Sequence, residues 1–155
     1  NRNLAFSHYK TAVEIGDKRA LFDLGRCYAN GIGTEFDFKK ASKYLSMARE
    51  LGQRGAEEEL RRIYENKKRH MTRSLYSTAM SLLYQKNYGE AMRLLEICSS
   101  FGYSAATYTI GCLYEFGIGR PANRRTALDY YKAAYALGYS DYDQSHKYKM
   151  LKMTK

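Results

Sequence analysis

The sequence is short of several things, and each shortage excludes something. Among 155 residues there is one proline and no tryptophan, so a proline-rich linker or a collagen-like segment is excluded. No run approaches the roughly 18 consecutive apolar residues of a membrane-spanning helix. The three cysteines, Cys27, Cys98 and Cys112, are an odd number with no CxxC and no zinc spacing. They do not make a disulfide framework, and as reduced structural thiols they point weakly to a reducing compartment such as the cytoplasm. The histidines His8, His70 and His146 are scattered, with no metal constellation of the HExxH kind. The chain opens Asn1-Arg2-Asn3-Leu4, with no initiator methionine and no apolar signal core, and reads as a fragment or processed product of a longer chain.

What is present suffices for a core. Apolar residues make up 45% and aromatics 14%, with 16 tyrosines, which excludes a wholly disordered chain. The net charge is +10, from 26 Lys+Arg against 16 Asp+Glu. Residues 1–60 hold 10 basic and 9 acidic side chains, whereas residues 61–155 hold 16 and 7. The densest basic run is Arg61-Arg62-Ile63-Tyr64-Glu65-Asn66-Lys67-Lys68-Arg69-His70. It suggests an acidic partner, a nucleic acid or an anionic membrane surface, set against the plainer reading of a solvated helix face.

An internal repeat sets the architecture. Four segments share one frame: Ala5–Gly16, Ala41–Gly52, Ala91–Gly102 and Ala127–Gly138. In the second, Ala41, Tyr44, Leu45, Ala48 and Leu51 fall on one face of an α-helix. The closing glycine suits the left-handed position that ends a helix. A second pattern follows, Ala20…Leu24-Gly25…Tyr28, recurring as Ala56…Leu60-Arg61…Tyr64 and Ala106…Ile110-Gly111…Tyr114. Next come Gly31-Ile32-Gly33 and Gly117-Ile118-Gly119, then the N-cap candidates Asp37 and Asn123. Ala5 to Ala41 is 36 residues and Ala91 to Ala127 is again 36; antiparallel helix pairs of this period stack into a solenoid. Ala41 to Ala91 is 50, which is 14 beyond one period. Residues 71–86 are expected to form an extra helix, either separate or continuing from 56–66 with a bend.

The pattern A-x3-LG-x2-Y-x2-G-x-G, then A-x2-Y-x3-A-x3-G, resembles the Sel-one-like repeat (SLR) family, relatives of tetratricopeptide repeats, over Ala5–Tyr64 and Tyr88–Gly138. Departures are Arg61 in place of the helix glycine, no GxG after Tyr64, and a degraded repeat after Gly138. There Tyr142 takes the alanine position and His146 the leucine position, so 141–153 reads as a capping helix or a truncated repeat. The resemblance implies an all-α fold, a right-handed α/α solenoid of antiparallel helix pairs. It also implies a single repeat domain over 1–155, with repeats near 5–40, 41–69, 88–123 and 124–155 and a tetratricopeptide-like helix at 71–86. Family members are non-enzymatic scaffolds and adaptors. In tetratricopeptide-type solenoids the helix of the A-x3-LG pattern lines the concave groove. The matching outward positions here are Phe22 and Arg26, Glu58 and Arg62, Tyr108 and Cys112, with Tyr76, Met80 and Tyr84 in the extra helix.

The chemistry-bearing residues read mostly as packing. His8 occupies a core position of the repeat, Cys98 a small buried slot and Cys27 an apolar one. Cys112 aligns with Arg26 and Arg62 and is expected to be the exposed thiol. The two GxG turns lack the strand, third glycine and Lys-Ser/Thr of a phosphate loop. Glu57-Glu58-Glu59 suits a helix start. Most tyrosines, namely Tyr9, Tyr28, Tyr44, Tyr64, Tyr114, Tyr130 and Tyr131, follow from the repeat. Tyr76, Tyr84 and Tyr108 do not, and with Arg26 and Arg62 they would make an aromatic and guanidinium groove.

The leading expectation is a protein-binding scaffold that takes an acidic protein or peptide in that groove, with no cofactor, no metal and no catalytic residue assigned. The alternative is an RNA-binding helical-repeat protein using the basic 61–155 half, disfavoured because the repeats lack a base-reading code. An enzyme is the least favoured reading, since no titratable pair can be placed in a cleft. Self-association through apolar solenoid ends is a separate option.

Overall fold

Helix starts and stops come from a few residues. Asp37 and Asn123 take extended backbone and accept from the amides of Lys40 and Thr126, satisfying donors that a helix start leaves unpaired. Gly31 and Gly117 stop their helices in the left-handed region, at φ 63° and 65°, where a Cβ is unfavourable.

The computed structural model describes residues 1–140. It consists of α1 (Arg2–Glu14), a short 3-10 turn (Lys18–Ala20), α2 (Leu21–Asn30), α3 (Phe38–Glu50), α4 (Ala56–Tyr84), α5 (Tyr88–Ser100), α6 (Ser104–Phe116) and α7 (Arg124–Ala136). No strand occurs among the described residues. The fold is all-α, as expected, and short connections make neighbours of α1 and α2, α2 and α3, α5 and α6, and α6 and α7. The tail, read from sequence as a cap or truncated repeat, lies outside the described residues.

The chain forms two compact units, Asn1–Lys68 and Arg69 onward. In the first, Leu24, Tyr28, Ala41, Leu45, Leu60 and Ile63 form a buried cluster, with Phe6, Tyr9, Phe38 and Tyr44 packed on it. In the second, Ala79, Leu83, Ala91, Leu95, Cys98, Ala106, Ile110 and Leu113 do the same. Each fully buried leucine contributes about 1.5–3 kcal/mol. The alanines that carry the period, Ala41, Ala56, Ala91, Ala106 and Ala127, are all buried. They mark the helix–helix contacts, where a larger side chain would hold the helices apart.

The glycine within the helix has the role its position suggests. A Cβ built on Gly25 would lie 2.7 Å from Leu45 Cγ, and one on Gly111 2.6 Å from Tyr131 Cε1. The tyrosine three residues on fills the adjoining space. Tyr28 stacks on Tyr44 at 5.8 Å and 12°, and Tyr114 on Tyr130 at 5.6 Å and 15°.

Of the two readings for residues 56–86, the structure shows one continuous helix over Ala56–Tyr84. Neither glycine nor proline occurs in that span, and the three glutamates of its first turn complement the helix dipole. Two expectations fail. His8 is exposed rather than packed, because no residue of α1 is fully buried. Tyr64 is 53% exposed, resting edge-on against Phe38 at 5.2 Å instead of lying between helices.

Candidate functional site

The nine residues expected to line one groove fall in two units and differ in exposure. Phe22, Arg26, Glu58 and Arg62 belong to the first unit. Positions 22, 26 and 30 run along one stripe of α2, four residues apart, and the start of α4 faces that stripe. The Arg26 guanidinium lies 5.6 Å over the Phe22 ring. The Phe22 amide donates to Gln53 Oε1 at 3.2 Å, and Gln53 Nε2 donates to the Lys18 carbonyl at 2.7 Å, so the start of α2 is tied to the α3–α4 turn. Beside these, Arg62 donates through Nε to Glu59 Oε2 at 2.9 Å and through Nη2 to Asn30 Oδ1 at 2.8 Å. Asn30 Nδ2 in turn donates to the Arg26 carbonyl at 2.9 Å.

This network sets the electrostatics. Hydrogen bonds from Arg62, more than any other cause, hold the Glu59 carboxyl below the usual carboxylate range. Arg62 is thus partnered inside its own unit and does not present a bare guanidinium. Glu58, Arg61, Arg62 and Glu65 line a shallow hollow of about 330 Å³ on α4. Both charge signs are present, so the surface suits a partner that offers both hydrogen-bond donors and acceptors.

In the second unit the expected groove residues are largely packed. Tyr108 is 7% exposed and Cys112 is 0% exposed, which corrects the expectation that both face outward and that Cys112 is the accessible thiol. Tyr108 stacks on Tyr139 at 4.3 Å and tilts against Tyr131 at 4.9 Å; its large ring is held where Phe22 of the other repeat stays half-exposed. Tyr76 packs on Tyr103 at 5.1 Å and bonds Thr109 Oγ1 at 3.1 Å. The Thr109 hydroxyl also donates to the Ala105 carbonyl at 2.8 Å. Burial pushes the Tyr76 phenol far up. Met80 is half-buried against the second core. Tyr84 alone of the five is open, at 61%. Cys27 and Cys98 are buried as expected, and desolvation raises both thiols.

One site was missed. Tyr131 Oη donates to Glu115 Oε2 at 2.5 Å and reaches Cys112 Sγ at 3.6 Å. Burial first, then the bond to Glu115, drives the Tyr131 phenol strongly upward. Glu115, Arg124, Arg125, Ala127, Leu128 and Tyr131 line a cavity of about 500 Å³. Column-by-column comparison of the repeats carried the signal: Glu115 and Tyr131 stand where Ala29 and Leu45 stand 86 residues earlier.

The pattern of the Sel1 repeat family matches residues 18–53 and 104–139. Those stretches run from the 3-10 turn through α3 and from α6 through the turn after α7. Among solved structures, a Sel1 repeat protein from Oxalobacter formigenes is 25% identical, with a TM-score of 0.38 over 98% of this chain and 99% of that one. A Pseudomonas aeruginosa protein is 16% identical, with a TM-score of 0.39 over 96% of this chain and 72% of that one. No curated protein matches the chain. No helix among the described residues is long and apolar enough to cross a membrane. Each of the two units thus contains one region that matches the Sel1 repeat, a repeat typically used for contact between proteins.

Proposed function

We propose that the chain is a protein-binding scaffold whose first unit takes a partner segment on the α2–α4 face. The observation that supports this reading is the ordered group on that face: Phe22 under the Arg26 guanidinium, next to the Arg62–Glu59–Asn30 network. Side chains fixed before a partner arrives lose little conformational freedom on binding, and arginine and aromatic groups concentrate interface energy. The partner segment carries a carboxylate for Arg26 or Arg61 and an apolar side chain for Phe22. The acidic character expected of it is kept as a local feature, since Glu58 and Glu65 beside Arg61 and Arg62 would repel a uniformly acidic chain.

The test selects 12-residue peptides on the immobilised chain and measures their affinity by fluorescence anisotropy. Phe22→Ala and Arg26→Glu are each expected to weaken binding at least about tenfold, by loss of an interface anchor, with helicity unchanged in circular dichroism. Peptides that bind both variants as tightly as the parent would remove the site. A labelled RNA of equal length serves as the second arm. RNA binding with a steep salt slope would favour the nucleic-acid alternative.

A further inference from the structure

The first repeat contains a peptide bond that the second lacks. Asn30 precedes Gly31, and no other asparagine of the chain precedes a glycine. The counterpart in the second repeat is Phe116–Gly117, which stops its helix on the same left-handed glycine without a side-chain amide beside it. Two demands meet at Asn30–Gly31. The helix stop requires a glycine, at φ 63°. The α2–α4 face uses the Asn30 carboxamide, whose Oδ1 accepts from Arg62 and whose Nδ2 donates to the Arg26 carbonyl. A glycine has no Cβ to shield its main-chain nitrogen, so that nitrogen can reach the side-chain carbon of the asparagine before it.

We infer that Asn30–Gly31 is a site of spontaneous deamidation, that the Arg62 network holds it in check, and that its conversion alters the partner face. Water is the only co-reactant. The Gly31 nitrogen, its proton lost to solvent, attacks Asn30 Cγ. The Cγ–Nδ2 bond breaks, Nδ2 takes up a proton and leaves as ammonia, and a five-membered succinimide closes. Water then opens the ring at one carbonyl to give aspartate, or at the other to give isoaspartate, with the chain running through Cγ. Asn30 is exposed, so solvent reaches it. Three features oppose the attack. The Gly31 amide donates to the Cys27 carbonyl, which retains its proton. Asn30 is the last residue of α2, and ring closure requires its backbone to leave the helical range. The carboxamide is held at 2.8 Å by Arg62 Nη2 and at 2.9 Å by the Arg26 carbonyl, while Arg62 is itself fixed through Nε by Glu59. The first two belong to any helix stop of this kind; the third belongs to this face.

The product differs from the amide in ways the face registers. A carboxylate at position 30 cannot donate to the Arg26 carbonyl. It stands where Nδ2 now lies 3.4 Å from Glu59 Oε1, so two like charges compete for Arg62. Isoaspartate also adds a methylene to the main chain directly before the helix stop. This consequence rests on the proposed partner site, whereas the conversion itself does not.

The test incubates the full-length chain in mildly alkaline buffer and follows each asparagine by peptide mass. Conversion is expected at Asn30 ahead of the other asparagines. It should be faster in Arg62→Ala by up to about tenfold, the factor that one charge-assisted hydrogen bond carries in a rate. Arg62→Lys, which keeps the charge without the guanidinium fork, should also be faster, and it serves in place of Arg62→Ala should circular dichroism show the latter to have lost helicity. Arg49→Ala, which removes an exposed ion pair with Glu57, should convert at the parent's rate. Conversion elsewhere before Asn30 overturns the site. Rates in the Arg62 variants equal to or below the parent's overturn the role of the network, the lower rate by showing that the guanidinium activates the carbonyl. Peptides selected on the parent should bind Asn30→Asp several-fold more weakly, and unchanged affinity overturns the effect on the face. Failure of every peptide to bind the parent removes the proposed function, while the conversion rates still decide the site.

Discussion

The repeats at 18–53 and 104–139 use one backbone plan with different side chains. Both end their first helix on a left-handed glycine, both cap the next with a side-chain oxygen, and both stack a tyrosine from one helix on a tyrosine from the other. A cation covers that stack in each, Lys40 over Tyr28 and Arg120 over Tyr114, although the two come from different positions. The contrast lies beside the helix glycine. The first repeat packs Leu45 there and leaves Arg26 on the surface; the second packs Tyr131 and buries Cys112. The same frame therefore yields an open polar face in one unit and a closed aromatic cluster in the other.

The sharpest break in this comparison is Leu45→Ala. It empties a fully buried site and should cost about 2–5 kcal/mol in urea unfolding, whereas Tyr131→Phe removes one hydroxyl and its bond to Glu115 and should cost about 1 kcal/mol. Equal losses would show that the Tyr131 hydroxyl matters as much to its unit as the Leu45 side chain does to the other. Next come the glycines. Gly25→Ala and Gly111→Ala both overfill and should cost about 1–3 kcal/mol. Gly111→Ala should be the worse, because the Glu115 bond holds the Tyr131 ring while Leu45 can change rotamer; a thermal melt ranks them. The caps should differ least, with Asp37→Ala and Asn123→Ala each losing about 1 kcal/mol.

The smallest effect is electrostatic and belongs to the first unit. The folded pKa of Glu59 lies below its unfolded value, chiefly through hydrogen bonds from Arg62. Its contribution is present above the unfolded value and is lost as pH falls through the folded one. Melting temperatures of the parent and of Glu59→Gln should therefore differ at pH 7, and the difference should shrink as pH falls below the ordinary carboxylate range, about 4.3. Glu90→Gln, at the exposed pair with Arg93, should change less at every pH.

Most of the fold was legible because its determinants are local. Ala41, Ala91 and Ala127 recur at buried contacts, and Gly31 and Gly117 at helix stops, so spacing alone places the helices. Exposure was less legible. Tyr108 and Cys112 share backbone positions with Phe22 and Arg26, yet their burial depends on Tyr131 and Tyr139, which come from α7 and the turn after it. The pairing of Glu115 with Tyr131 was visible only as two unusual residues in separate columns, and nothing in either column alone says that they meet. The extra 14 residues pointed to helix, and their joining to 56–66 without a break follows from the absence of any glycine or proline there.

That unbroken helix has a consequence for how the chain can be divided. Residues 56–68 help wall one core, and residues 69–84 help wall the other. A cut at 68/69 would create two raw helix ends, each with about four backbone groups lacking partners, and would leave both cores with a fraying wall. Pieces meant to fold alone would keep Ala56–Tyr84 whole and end at the turn before α5, so the intact helix, not the boundary at 68/69, sets the unit of exchange in this chain.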